Sequence, residues 1–141
     1  MENTRKRWRL GRSTFLGSSN TLISADKIAK LSSTSFIHSK ENFDVLEEPV
    51  KDHFYFIAVD TSRGVGGDYS AFTVVDTTSY PFKVVAKFKD NRISPLLYPN
   101  IITKVAKDYN YAQILVEIND IGQQVADIIH NELEYENLMW V

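Results

Sequence analysis

Two acidic residues each follow a short apolar run, at a position that suits metal chemistry. Asp60 ends the run Phe54–Val59 (FYFIAV), and Glu117 ends the run Tyr111–Val116 (YAQILV). Such runs are typical of strands buried on both faces. An ionised carboxylate at the end of such a strand carries a desolvation cost unless a cation or hydrogen bonds compensate for it. Because carboxylates suit hard ions, we predict that Asp60 and Glu117 bind Mg²⁺ or Mn²⁺.

The reaction that such a pair would serve is phosphodiester hydrolysis. Two ions about 4 Å apart, bridged by one carboxylate, activate a water and stabilise the leaving oxygen. We predict that Asp60 is the bridging ligand and that Glu117 binds the second ion. Taken singly, each acid has an ordinary explanation, because Asp60 could open a turn and Glu117 could end a strand in solvent. The pair favours a site if the two strands are parallel neighbours, since open α/β sheets hold their sites at the carboxyl edge.

The segment between the first two predicted strands, residues 61–70, is a glycine-rich turn. Asp68 within it is a candidate for an outer contact to the same metal, although turn chemistry explains Gly-Asp equally well. Arg63 could reach a DNA phosphate, and a solvated arginine is the ordinary alternative. The glycines do not form a nucleotide cradle, because no Gly-Lys-Ser/Thr follows and the next element is a strand rather than a helix.

Composition limits the other classes of function. The chain has 141 residues and three scattered histidines. It has no cysteine, which excludes a disulfide framework, a thiolate zinc site and a cysteine nucleophile. It contains neither an apolar run long enough to span a bilayer nor a signal peptide, so we expect a soluble intracellular protein without a membrane partner. The basic cluster in the first twelve residues could follow nucleic-acid phosphates or form a charged tail.

The elements that must position the acids follow from periodicity. Residues 1–50 are predicted to be a linker or tail with a short helix of two or three turns within residues 21–31, capped by Ser24. Residues 51–141 are predicted to form an α/β domain in the order β-β-β-α-β-α-β, with a mixed sheet flanked by helices. The first helix begins at Ser94-Pro95 or at Pro99, and Asn119 and Asp120 cap the second. Gly122 would allow close approach of backbone or substrate to the start of that helix.

The motifs around the two acids resemble a known family. The runs Phe56–Ala71 (FIAVDTSRGVGGDYSA) and Val116–Gly122 (VEINDIG) are similar to the nuclease domain of the large terminase subunit of T4-like tailed phages. The run Phe15–Ser24 (FLGSSNTLIS) is similar to the segment that joins the ATPase and nuclease domains of that family. The resemblance implies a ribonuclease H-like fold in which the acids corresponding to Asp60 and Glu117 bind the catalytic metal.

The function implied by this resemblance is a hydrolase. It is an endonuclease that cuts concatemeric double-stranded DNA during genome packaging, in the cytoplasm of the infected bacterium. Its implied partners are a packaging ATPase domain, a small terminase subunit and the portal. No Walker motif is present, so no ATPase activity is expected of this chain. The third acid of the family lies downstream of Val141, so we expect a domain that is incomplete at its C-terminus and that cleaves little DNA alone.

Two other functions remain open at the level of sequence. The first is a catalytically inactive fragment or scaffold that docks on a packaging motor. The second is an actin-like ATPase, whose fold also begins with a strand, an acid and a glycine turn. That class would place a glycine two residues after the acid, and this chain has Ser62 there.

Overall fold

The computed structural model describes residues 23–31 and 34–141. The chain divides into two units, residues 1–33 and 34–141. In the first unit, helix α1 (Ala25–Ala29) begins directly after Ser24, whose carbonyl accepts a hydrogen bond from the Lys27 N–H. The helix is shorter than the two or three turns predicted. The basic cluster and most of the run Phe15–Ser24 lie outside the described residues.

The second unit is built on one mixed sheet. Its seven strands are β1 (His38–Lys40), β2 (Phe43–Val45), β3 (Tyr55–Asp60), β4 (Ser70–Asp76), β5 (Lys83–Asp90), β6 (Gln113–Val116) and β7 (Leu138–Trp140), in the order β1-β2-β5-β4-β3-β6-β7. The β3–β6 and β6–β7 pairs are parallel, and the other pairs are antiparallel. The helices are α2 (Tyr98–Asp108) and α3 (Gly122–Asp127), and α3 continues into a π-helical turn, Ile128–Glu132.

From residue 51 onward this order confirms the predicted α/β fold with β-β-β-α-β-α-β connectivity. Helix α2 begins at Tyr98, so Pro99 lies in its first turn, where a proline costs no intrahelical hydrogen bond. This start matches the second of the two predicted positions. Ser94 instead forms the turn before the helix, where its carbonyl accepts hydrogen bonds from the N–H groups of Leu97 and Tyr98.

The β1–β2 hairpin differs from the prediction, because it lies in the segment assigned to a linker. Glu41 and Asn42, with φ of 50° and 66°, form its two-residue turn, in the left-handed geometry that matches strand twist. Each strand has only three residues, too few for the alternation of apolar and polar residues that identifies a strand in a sequence. The hairpin is held by pairing of β2 with β5, which places Val45 in the core.

The core lies on one face of the sheet, between the strands and helices α2 and α3. The strands contribute aliphatic and aromatic side chains to it: Ile57, Val59, Phe72, Val74, Ile114 and Val116. The helical segments contribute Ile102, Ala106, Val125 and Ile129. The alternate residues of the same strands point to the opposite face, as the pleat requires. On that face Ala58, Asp60, Lys87, Lys89 and Glu117 are exposed. We refer to it as the open face.

Neither α1 nor any other helix in the part of the chain that the structure describes has the length and apolarity needed to cross a bilayer.

Candidate metal centre

The parallel pairing of β3 and β6 brings the two predicted metal ligands together. Val59 lies opposite Val116, so the next residue on each strand, Asp60 and Glu117, stands at the same edge of the sheet. The Glu117 N–H donates to the Val59 carbonyl at 3.3 Å, which extends the pairing up to the acids. Both carboxylates are exposed and line one groove of about 580 Å³ on the open face.

The groove has the chemistry of a cation site. Apart from Asp60, Glu117 and Thr73, the residues that line it are apolar. No ion pair involves either acid within residues 23–31 and 34–141. Two neighbouring carboxylates without a cation repel each other, and a divalent ion relieves that repulsion. The donor set therefore fits a hard ion such as Mg²⁺ or Mn²⁺.

The same residues do not make a complete coordination shell. Among the described residues, no group of three or more His, Cys, Asp or Glu side chains is placed to hold a metal. The remaining positions would be filled by water, by substrate or by ligands outside the described part of the chain.

Asp68 is not brought into this pair. It lines a separate, neighbouring cavity of about 340 Å³, together with Arg63 and Asp120. Its backbone carbonyl accepts a hydrogen bond from the Ser62 hydroxyl at 2.9 Å. Its observed surroundings are those of a turn residue, the ordinary alternative considered above.

Arg63 has a protein partner. Its Nε donates to Asp120 Oδ2 at 2.8 Å, and its Nη2 contacts the same oxygen. Asp120 was expected to cap the second helix, and the structure places its carboxylate in this ion pair instead. Both side chains are about two-thirds exposed, so the pair ties the glycine-rich turn to the start of α3 at the protein surface.

A second tie, closer to the acids, joins Thr61 and Asn119. The Thr61 hydroxyl donates to Asn119 Oδ1 at 2.8 Å, and Asn119 Nδ2 donates to the Thr61 carbonyl at 3.1 Å. The same Oδ1 accepts the N–H groups of Ile121 and Gly122, so Asn119 does satisfy the helix start as predicted. Thr61 follows Asp60 directly. The contact therefore fixes the strand end that carries one acid against the loop that follows the other.

Gly122 completes this junction by its lack of a side chain. A Cβ at this position would lie 1.9 Å from the Glu117 carbonyl oxygen. The close approach anticipated at Gly122 is thus an approach of backbone to backbone. The missing side chain lets the start of α3 contact the Glu117 backbone directly.

Tyr98 supports Asp60 from the core side. Its hydroxyl donates to the Asp60 carbonyl at 3.4 Å, and its ring is fully buried against Phe72 and Phe88. Burial raises the pKa of Tyr98 well above its usual value, and the charge of Asp60 raises it further, so the hydroxyl remains a donor. Sequence reasoning did not single out Tyr98. The available signal was a tyrosine on the apolar side of a helix, since buried tyrosines need a partner for the hydroxyl.

The glycine-rich turn is held against the end of β5 rather than open to a nucleotide. Gly64 has φ of 69°, and a Cβ there would lie 2.1 Å from the Ile93 carbonyl oxygen. The Gly66 N–H donates to the Asn91 carbonyl at 2.8 Å. These glycines serve a left-handed turn and a close backbone approach.

Comparison with known proteins places this arrangement in a family. The family model described as "Terminase RNaseH-like domain" matches residues 57–140. Similar solved structures include the large terminase nuclease from thermophilic phage G20c with bound magnesium (TM-score 0.63, 19% identity, 74% of this chain and 52% of that one). The same nuclease with bound cobalt matches with TM-score 0.62, 19% identity and the same coverage. The large terminase nuclease domain of Thermus phage P74-26 matches with TM-score 0.57 and 19% identity, over 72% of this chain and 49% of that one.

At this identity the structural likeness shows the fold alone. The chain spans about half the length of the solved structures that it matches.

Proposed function

Because the chain belongs to the family of terminase RNase H-like domains, we propose that it is part of a metal-dependent DNA endonuclease. The parent protein would be a phage terminase large subunit that cuts concatemeric DNA during packaging in the infected bacterium. The observation that carries this proposal is the position of Asp60 and Glu117, side by side at the carboxyl edge of two parallel strands, in a groove whose other lining residues except Thr73 are apolar. That edge is where α/β sheets hold their sites.

The chain's own contribution to the reaction is to hold and orient two carboxylates. A divalent ion, when bound, polarises a phosphoryl oxygen and makes water a nucleophile near neutral pH. Asp60 would serve as the ligand shared between two ions, and Glu117 would bind one of them. The bound magnesium and cobalt in the G20c nuclease support a divalent ion for this fold.

The residues around the acids keep them in place. Tyr98 donates to the Asp60 carbonyl, and Asn119 bonds both the hydroxyl and the carbonyl of the next residue, Thr61. Gly122 lets the Glu117 backbone contact the start of α3. Metal sites need such supporting contacts, because a ligand displaced by about 1 Å loses much of its effect. Thr73 is the other polar side chain in the groove and faces the same space.

The described residues supply two carboxylates, so a further ligand would come from outside them. We therefore expect this chain alone to cleave DNA weakly, and to gain activity from a polypeptide that carries the rest of the nuclease domain. A packaging ATPase domain, a small terminase subunit and a portal are the partners proposed for the parent protein.

Complementation tests this function. The chain is mixed with the remaining portion of a terminase nuclease domain, and nicking of supercoiled plasmid is followed with and without Mg²⁺. We expect nicking that requires Mg²⁺ and is lost in Asp60→Asn and Glu117→Gln, while the exposed Asp127→Asn retains it. Equal nicking by Asp60→Asn would show that the site is assigned wrongly.

A non-enzymatic role is the second candidate, because the described residues supply only two ligands. In that role the chain would dock on a packaging motor without cutting DNA. Retained binding to motor components together with no binding of Mn²⁺ would favour it. Family membership favours the nuclease over the actin-like ATPase.

A further inference from the structure

We propose that Lys89 and Arg92 form a phosphate-binding strip that holds the DNA backbone next to the cut. This inference rests on the nuclease function proposed above and assigns it a substrate-contacting surface. The ligand is the phosphodiester backbone of duplex DNA, recognised by charge rather than by base sequence.

The sheet register places Lys89 in the same row as the metal site. Asp60 lies opposite Ala71 on β4, and Ala71 lies opposite Lys89 on β5. Residues paired in this way share one face of the sheet, so Lys89 lies on the open face with Asp60. Two strand spacings separate them by about 10 Å. The lysine is thus near the acids but outside contact distance.

Lys89 and Arg92 differ from three other cations in this region, each of which forms an ion pair with a carboxylate. Lys83 contacts Glu47, Lys87 contacts Asp44, and Arg63 contacts Asp120. Neither Lys89 nor Arg92 has a carboxylate within 4.0 Å among the described residues, and both are exposed. The charge of Lys89 is therefore available to an anion from solution, whereas the charge of Arg92 also acts on Asp90, whose pKa it helps to lower.

Tyr69 orients Lys89 without neutralising it. The Lys89 Nζ lies 4.1 Å from the centroid of the Tyr69 ring, which is itself 46% exposed. A cation over an aromatic face keeps its full charge and loses some side-chain freedom. Tyr69 lies in the glycine-rich turn directly before β4, so the ammonium group lies near the end of β4 that pairs with Asp60.

Arg92 lies at the same edge because its backbone is fixed there. Its N–H donates to Asp90 Oδ1 at 2.6 Å, and the next residue, Ile93, packs against Gly64. Gly64 belongs to the turn that leaves Asp60. The backbone of Arg92 thus lies on the β5 side of the acids, as Lys89 does, whereas Glu117 stands on the β6 side.

Duplex DNA matches this arrangement. It carries one phosphate charge per about 1.7 Å of its axis, so a cation about 10 Å from the scissile position meets the backbone in any sequence. At about 0.1 M ionic strength the Debye length is also about 10 Å. The repulsion between Lys89 and a metal ion at the acids is therefore largely screened, whereas a DNA phosphate can approach the lysine directly.

The test is the salt dependence of DNA binding by the full chain. Fluorescence anisotropy with a short labelled duplex in Ca²⁺ gives the association constant at several NaCl concentrations for the wild type, Lys89→Gln, Arg92→Gln and the double variant. Each lost phosphate contact should reduce the slope of log K against log [NaCl] by about 0.9, and Lys89→Arg should restore the wild-type slope. Lys107→Gln, exposed on α2 across the sheet, is the control and should leave the slope unchanged.

Binding of Mn²⁺ to the same variants separates this inference from the nuclease proposal. An unchanged slope in the double variant, or no duplex binding by the wild type, would overturn the strip, and Mn²⁺ binding that depends on Asp60 would still support the nuclease. A reduced slope together with no Mn²⁺ binding would support the strip and count against the nuclease.

Discussion

Replacement of Gly122 by alanine tests whether the contact between Glu117 and the start of α3 is as close as the structure shows. An added Cβ would lie 1.9 Å from the Glu117 carbonyl oxygen, whereas ordinary contact begins at 3.4 Å. The helix start and the end of β6 must therefore separate by about 1.5 Å. Both sides of this contact are backbone, so no side-chain rotation relieves it.

The expected cost follows from two opposing effects. Overpacking of a tight contact costs about 1–3 kcal/mol, and alanine regains up to about 1 kcal/mol of helix propensity. Because the clash involves backbone on both sides, we place the cost at the upper end and expect Gly122→Ala to lower the free energy of unfolding by about 2 kcal/mol. For a domain of this size the melting temperature should fall by roughly 8 °C.

Urea unfolding followed by circular dichroism measures this change, and Gly67→Ala is the matched control. A Cβ at Gly67 meets no heavy atom within 4 Å, so its effect should stay within about 0.5 kcal/mol. Mn²⁺ affinity should also fall in Gly122→Ala and not in the control, because only the first displaces the backbone that carries Glu117. Equal stability of the two variants would refute the close approach.

Two further predictions concern the same unit. Burial alone would raise the pKa of Asp76, but hydrogen bonds from Thr78 and His53 outweigh it and lower the pKa from 3.8 to about 2. The stabilisation is thus complete above about pH 4 and is lost as the pH falls through 2, so Asp76→Asn should cost about 2 kcal/mol at neutral pH and flatten the pH dependence of unfolding between pH 4 and 2. Asn119→Ala removes the contacts to Thr61 and to the helix start, and should cost about 1–3 kcal/mol in urea unfolding while also weakening Mn²⁺ binding. Unaltered Mn²⁺ affinity in a folded Asn119→Ala protein would mean that this tie does not position the acids.

The pairing of the two acids was predictable from the sequence because it depends on local pattern and a general rule. Each apolar run identified a buried strand, and a mixed sheet with a crossover helix allowed the first and fourth strands to be parallel neighbours. The structure pairs Val59 with Val116 in this way. Pro99 and Asn119 marked the starts of α2 and α3 for the same reason, since caps and prolines act within one turn.

The contacts that support the acids were not predictable, because they join residues far apart in the chain. Thr61 and Asn119 are 58 positions apart, and Tyr98 is 38 positions from Asp60. Their hydrogen bonds depend on the exact spacing of loops, which periodicity does not report. The partner of Arg63 was missed for this reason, and the β1–β2 hairpin was missed because its strands gain their stability from pairing with β5.

Mn²⁺ titration of the full chain, followed by isothermal calorimetry, tests whether Asp60 and Glu117 hold a metal ion. We predict saturable binding by the wild type that is lost in Asp60→Asn and in Glu117→Gln, and that is retained in Asp127→Asn. Wild-type affinity in a folded Asp60→Asn or Glu117→Gln protein, or no binding by the folded wild type, would contradict the assignment of Asp60 and Glu117 as the metal ligands.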